Sequence, residues 1–149
     1  MADPGRPFGE AELGAWHGML QTHARTLRRL DDELLHAHRL SVSEFDVLIT
    51  LDNAPDRELR MTDLALAVML SPSGLTRMVG RLEQAGLVER RRSADDARSF
   101  RAALTDAGAA RLLEARATHN AVIRDLVLDR LSPAEHQALA RTWEKLAAG

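Results

Sequence analysis

Between Ser71 and Thr105 the chain places seven arginines, at positions 77, 81, 90, 91, 92, 98 and 101, against four acids, at 83, 89, 95 and 96. A guanidinium is planar, permanently charged and able to make paired hydrogen bonds, so a cluster of them suits phosphate oxygens and the acceptor edge of guanine. Seven minus four leaves the segment at +3, whereas the whole chain carries −2 with a pI near 6.3. The cationic surface is therefore local, and this segment is the candidate for contact with an anionic partner.

The elements that would position these arginines read as helix, strand, turn, strand. Ser71 offers a hydroxyl to the free amides of a first turn, and Pro72 fits the first helical position. Leu75, Met78, Val79 and Leu82 recur at i, i+3, i+4 and i+7, which predicts one buried stripe and leaves Thr76, Arg77, Gly80 and Arg81 on other faces. Gly86 stops the helix, Leu87-Val88 opens a strand that becomes Arg90-Arg91-Arg92, Ser93 to Arg98 is turn-forming, and Ser99 to Leu104 returns to pair with it. A basic helix followed at once by an arginine-bearing hairpin is the layout of a winged helix-turn-helix, whose helix fits the major groove of duplex DNA while the hairpin reaches the backbone or the minor groove.

That layout assigns roles. Ser73, Thr76 and Arg77 are expected near the groove floor, with Arg77 the candidate for a bidentate guanine contact, and Arg81, one turn on, is expected on phosphate. Arg98 at the wing tip would enter the minor groove, with Asp96 bracing its guanidinium. Arg90, Arg91, Arg92 and Arg101 alternate along strands, so about half of them should face phosphates. The hydroxyls of Thr62 and Ser71 and the helix-start backbone through Pro72 and Gly74 would position the duplex without reading sequence.

The rest of the chain reads as support. After a start of nine residues expected to be disordered, Glu10 to about His38 is one long helix, with Leu13, Trp16, Leu20, Leu27, Leu30 and Leu34 forming a heptad-like seam about 40 Å long. Ser41-Val42-Ser43-Glu44 is a capping box opening a short buried helix with Phe45, Leu48, Ile49 and Leu51, ended by Asn53-Ala54-Pro55-Asp56. Thr62 is expected to cap a third helix, Asp63 to about Met69, with a turn at Met69-Leu70-Ser71; Leu59 and Met61 supply an apolar segment for a third strand. Thr105 caps a helix to about Leu128, with Arg111, Arg116 and Arg124 mostly on its solvent side. Ser132-Pro133-Ala134-Glu135 opens a last helix to about Ala147 that buries Leu139, Trp143 and Leu146.

In combination the residues resemble a known family. The run from Leu70 to Arg90, LSPSGLTRMVGRLEQAGLVER, is similar to the recognition helix and first wing strand of MarR-type transcriptional regulators. Asp96-Ala97-Arg98, followed by Leu104-Thr105-Asp106-Ala107-Gly108, resembles their wing-tip D-x-R and the start of their fifth helix. The resemblance extends from about Leu13 and is sharpest between Met61 and Gly108. It implies a mainly α fold with a small β-wing, in which helices from 10–40 and 105–149 form a dimerisation layer around a DNA-reading region at 41–104. It further implies a cytoplasmic homodimer on a pseudo-palindromic operator, a repressor released by a small effector. In such proteins effectors, often anionic aromatics, bind between the two layers, where Trp16, His17 and Met19 are the candidates here; urate-responsive members suggest Asp63 and Arg101 beside Trp16. The chain departs from the pattern at Ala97, where many relatives carry a second basic residue, and at Gly74, where a bulkier polar residue is common.

Other classes fit less well. The absence of cysteine excludes disulfides, thiolate zinc and thiol redox sensing. The six histidines are scattered, and His36 and His38 do not share a helix face, so no metal or cofactor is expected. No signal-peptide core opens the chain, and the longest apolar run, Leu64 to Leu70, is far below the roughly 18 residues of a membrane span. There is no glycine-rich phosphate loop, nucleophile and base spacing or paired carboxylate motif, so an enzyme is not expected. A winged helix acting as a protein-interaction module is the alternative, and the arginine clustering argues against it.

Overall fold

The computed structural model describes residues 5–94, 96 and 98–149. Four residues of the start expected to be disordered, Met1–Pro4, lie outside the described residues, as does Ala97 of the wing. The elements are α1 (Glu10–His38), α2 (Val42–Asp52), a 3-10 turn (Pro55–Arg57), β1 (Glu58–Arg60), α3 (Met61–Ala67), α4 (Pro72–Gln84), β2 (Val88–Arg92), β3 (Phe100–Leu104), α5 (Asp106–Leu126), a second 3-10 turn (Leu128–Arg130) and α6 (Pro133–Ala147). The three strands form an antiparallel sheet in the order β1-β3-β2. The fold is mainly helical with a small wing, as the sequence predicts.

Capping chemistry sets most of the boundaries. At α2 the Ser41 hydroxyl accepts from the Glu44 amide at 3.1 Å, while Glu44 Oε2 accepts from the Ser41 amide at 2.9 Å. Ser132 and Glu135 repeat the motif at α6, and Thr105 caps α5 through the Gly108 amide at 2.9 Å. At α3 the expectation fails. Thr62 is not the cap but the second helical residue, because β1 runs directly into the helix and Arg60, extended at the strand end, fills the capping position without a side-chain bond. Two further boundaries shift: α3 stops at Ala67, where Met69 takes a left-handed φ of 54°, and α5 stops at Leu126 before the second 3-10 turn.

Phe45, Leu48 and Leu51 of α2, Leu64 of α3, Leu75, Val79 and Leu82 of α4 and Leu112 and Ala115 of α5 form one core with Leu34 and Leu40. The α5 arginine row lies differently from expectation. Arg111 donates to the His38 carbonyl at 2.9 Å and Arg116 to Asp52 at 2.8 Å, so both tie α5 to earlier helices, and only Arg124 points outward. Their partners lie 73 and 64 residues away in sequence, beyond any local pattern.

The expected burial of Leu139, Trp143 and Leu146 is also overturned: they are 38, 46 and 64% exposed, and α6 buries no residue. The stripe exists, but no element among the described residues covers it. On α1, Leu30 and Leu34 are buried, whereas Leu13, Trp16, Leu20 and Leu27 are exposed.

Candidate nucleic-acid interface

The recognition helix α4 is built as the sequence requires. Ser71 Oγ accepts from the Gly74 amide at 3.1 Å, and a Cβ at Gly74 would sit 3.0 Å from that oxygen, so the bare residue leaves room for the cap. Leu75, Met78, Val79 and Leu82 face the core, which turns Ser73, Thr76, Arg77 and Arg81 outward. Thr76 Oγ1 donates to the Pro72 carbonyl at 2.9 Å, which fixes its rotamer and leaves its lone pairs exposed. Helix and wing are then locked together. Gly86, with φ +76°, turns the chain into β2, and Glu83 Oε2 accepts from the Arg90 amide at 2.9 Å.

Strand alternation sorts the wing arginines. In register, Arg60 lies beside Arg101 and Arg101 beside Arg91, so these three share one face of the sheet, while Arg90 and Arg92 share the other with Ala102 and Phe100. Glu58 relieves the crowding on the first face, accepting from Arg101 Nε at 2.7 Å and lying 3.5 Å from Arg91, which Glu89 also grips at 2.8 Å. Glu89, and secondarily Glu58, push the already high Arg91 pKa further up. Arg90 lies against α4: its guanidinium is 3.9 Å from where a Gly80 Cβ would stand and 3.8 Å from Glu83, and its Nε is buried. It acts as a strut between helix and wing. Arg92 stacks over Phe100 at 5.7 Å.

The wing tip departs from expectation in one detail. Asp96 Oδ1 accepts from the Arg98 backbone amide at 2.9 Å, so it braces the turn rather than the guanidinium. Ser99 adds two bonds to the Asp96 carbonyl, from its amide at 3.0 Å and its hydroxyl at 3.1 Å. Among the described residues the Arg77 and Arg98 guanidinium groups have no ion-pair partner, while Arg81, Arg90, Arg91 and Arg101 are each held by a carboxylate. The sequence does not mark those carboxylates, Glu44, Glu58, Glu83 and Glu89, as partners of the arginines, nor does it mark Arg60 at the end of β1. Thr62 lies exposed in the first turn of α3.

The effector candidates do not line the cleft beside α5. Trp16, His17 and Asp63 are exposed and Met19 is half-buried, on α1 and α3. That cleft, of about 320 Å³, lies between α5 and the turn after α2, with Ala109, Leu112 and Leu113 as its apolar wall. Asp52 at its rim holds both Arg57, at 3.2 Å, and Arg116, at 2.8 Å. The turn that presents Arg57 is strained: Asp56 and Arg57 both have φ 55°, unfavourable for residues with a Cβ. Among the described residues no group of three or more metal-ligating side chains gathers, and no helix is long and apolar enough to cross a membrane.

A recognition helix seated on a helical core and locked to a three-stranded arginine-bearing wing defines a winged helix-turn-helix protein. Residues 40–100 match the model of the MarR family. Among solved structures the chain is similar to Sco3205, a MarR family transcriptional regulator from Streptomyces coelicolor in complex with DNA. The two are 29% identical with a TM-score of 0.90, over 98% of this chain and 91% of that one. It is also similar to AbsC from the same organism, a MarR family transcriptional regulator, at 28% identity and a TM-score of 0.88 over 96% of both chains. It is 30% identical to the HTH-type transcriptional regulator PrsX of Escherichia coli over 109 residues, 71% of this chain, and spans 62% of that relative's length. By sequence over residues 40–100, and by fold over nearly its whole length, the chain is similar to MarR family transcriptional regulators.

Proposed function

We propose that this chain is a sequence-specific DNA-binding transcriptional regulator that works as a homodimer and acts as a repressor released by a small molecule. The observation that carries the reading is the pair of guanidinium groups without an ion-pair partner among the described residues, Arg77 on α4 and Arg98 at the wing tip, on a helix and hairpin fastened by the Glu83–Arg90 contact. Arg77 lies where a helix in the major groove meets base edges, and Arg98 where a wing meets the adjacent minor groove. Ser73, Thr76 and Arg81 flank Arg77 on the same surface. Occupying a duplex site in this way keeps other proteins off it, which is the physical basis for repression.

The uncovered apolar stripes of α1 and α6 support the homodimer: two copies burying Leu13, Trp16, Leu20, Leu139, Trp143 and Leu146 against each other would give both helices the partner layer they lack. For release, the cleft beside Arg57 and Arg116 has the room and the cationic rim for a small anion with an apolar body, and it lies between α5 and the turn leading into the wing sheet.

The test is titration of duplex DNA with wild type, Arg77→Ala and Arg98→Ala across a salt series. Wild-type affinity should fall steeply with salt, and each substitution should flatten the slope by about 0.9 per lost phosphate-type contact or cost about 1–3 kcal/mol where a base is read. Salt-independent binding, or wild-type affinity in both variants, would overturn the assignment.

A further inference from the structure

We propose that Glu44 is a positioning residue for Arg81, holding it in the orientation from which it engages DNA phosphate. The inference rests on the reading of α4 as the DNA-contacting helix. Glu44 belongs to α2, outside the α4 helix and the wing strands, and its two oxygens have separate tasks. Oε2 accepts from the Ser41 amide at 2.9 Å to complete the α2 capping box, and Oε1 accepts from Arg81 Nε at 3.3 Å. The carboxylate side chain is only 13% exposed, so it is a fixed anchor, whereas the arginine side chain is 59% exposed. The grip is on Nε, on one side of the guanidinium. The far edge, with its NH1 and NH2 donors, has no partner among the described residues, on an exposed side chain one helical turn from Arg77.

An unheld arginine on an exposed helix face must be ordered when it meets a phosphate, and ordering one long side chain costs a measurable part of the contact. A carboxylate that has already ordered it lowers that cost. Glu44 also brings a negative charge toward DNA, an opposing effect that acts at long range whether or not Arg81 is present. The two effects separate in a double-mutant cycle.

The experiment measures affinity for a duplex of random sequence, since a phosphate contact needs no operator, across a salt series for wild type, Glu44→Gln, Arg81→Ala and the double variant. Gln retains an oxygen for the Ser41 amide, so the capping box survives. Ser41→Ala, which weakens the same helix end while leaving the Glu44–Arg81 contact, is the control for fraying. Positioning predicts that E44Q weakens wild-type binding about three- to tenfold and flattens the salt slope by about 0.9 per copy of the chain bound. In the R81A background it should cause no weakening, and S41A should cause none. If E44Q tightens wild-type binding more than it does in the R81A background, Glu44 competes with phosphate and the inference is wrong. Equal weakening in both backgrounds, or weakening by S41A, would assign the effect to α2 and overturn it too. If R81A binds like wild type while R77A is impaired, Arg81 is no contact and this inference fails, although α4 remains the DNA-contacting helix.

Discussion

Gly108, in the first turn of α5, is where the frame behind the interface tolerates no side chain. A Cβ there would lie 2.1 Å from the Leu87 carbonyl oxygen, 2.7 Å from Leu104 Cδ1 and 3.0 Å from the Leu87 carbonyl carbon. The Leu87 peptide cannot yield easily, because its oxygen accepts from the Thr105 amide at 3.1 Å and its amide donates to Leu82 at 2.9 Å. The Thr105 hydroxyl, which caps α5, also donates to the Gly86 carbonyl at 2.7 Å. Gly108→Ala must therefore push the start of α5 away from the junction between recognition helix and wing. Overpacking of this kind costs about 1–3 kcal/mol, and a clash with backbone belongs at the upper end. The better helix propensity of alanine returns about 1 kcal/mol. The net is about 2 kcal/mol, or a Tm lower by about 4–8 °C for a domain of this size. Gly18→Ala is the matched control: it lies on the face of α1 opposite the Leu13–Leu20 seam, where a Cβ meets nothing within 4 Å, so it should raise Tm. Thermal unfolding of both variants by circular dichroism, at one protein concentration, reads the result. A G108A melting at or above wild type would refute the packing argument.

Trp143→Glu on α6 should convert a homodimer to monomer in sedimentation equilibrium; a dimer of wild-type strength would remove that helix from the interface. Burial pushes the Asp46 carboxyl up, opposed by His119. Its folded pKa exceeds the unfolded one, so its contribution to stability falls as pH rises between them; Asp46→Asn should raise Tm at pH 7, by less at acid pH, and an equal gain at both would exclude the titration. Hydrogen bonds from the Ser132 backbone and hydroxyl hold the Glu135 carboxyl below the ordinary glutamate range. The stability this lends α6 is present above that range and lost as pH falls through the folded value; the protection of first-turn α6 amides relative to their intrinsic exchange rate at each pH should fall there, and should fall less in Glu135→Gln.

What the sequence made legible was local. Ser41 with Glu44, Ser71 with Pro72, Gly86, Thr105 and Ser132 with Glu135 each satisfy a helix end within four residues, and all are found as read. Thr62 misled because strand-to-helix continuity needs no hydroxyl: Arg60 already has the extended geometry. The arginines were legible as a cluster but not as individuals. Whether Arg90 faces α4 or solvent depends on sheet register, and whether Arg81 or Arg101 is committed depends on Glu44 and Glu58, 37 and 43 residues away. Asp96 was identified as a brace, but its partner proved to be the backbone. The stripe on α6 was legible as apolar; what covers it cannot be read from periodicity, which gives a face and not its partner.

The most direct test of the central claim is selection from a random duplex pool at about 150 mM salt, where sequence-independent attraction is weakened, with wild type and Arg98→Ala in parallel. A DNA-reading homodimer predicts enrichment of a two-fold motif with half-sites about one helical turn apart, and loss of preference at the flanking A·T positions in the variant. A well-folded dimer that enriches no sequence would contradict sequence-specific binding and leave the winged helix as a surface for other proteins.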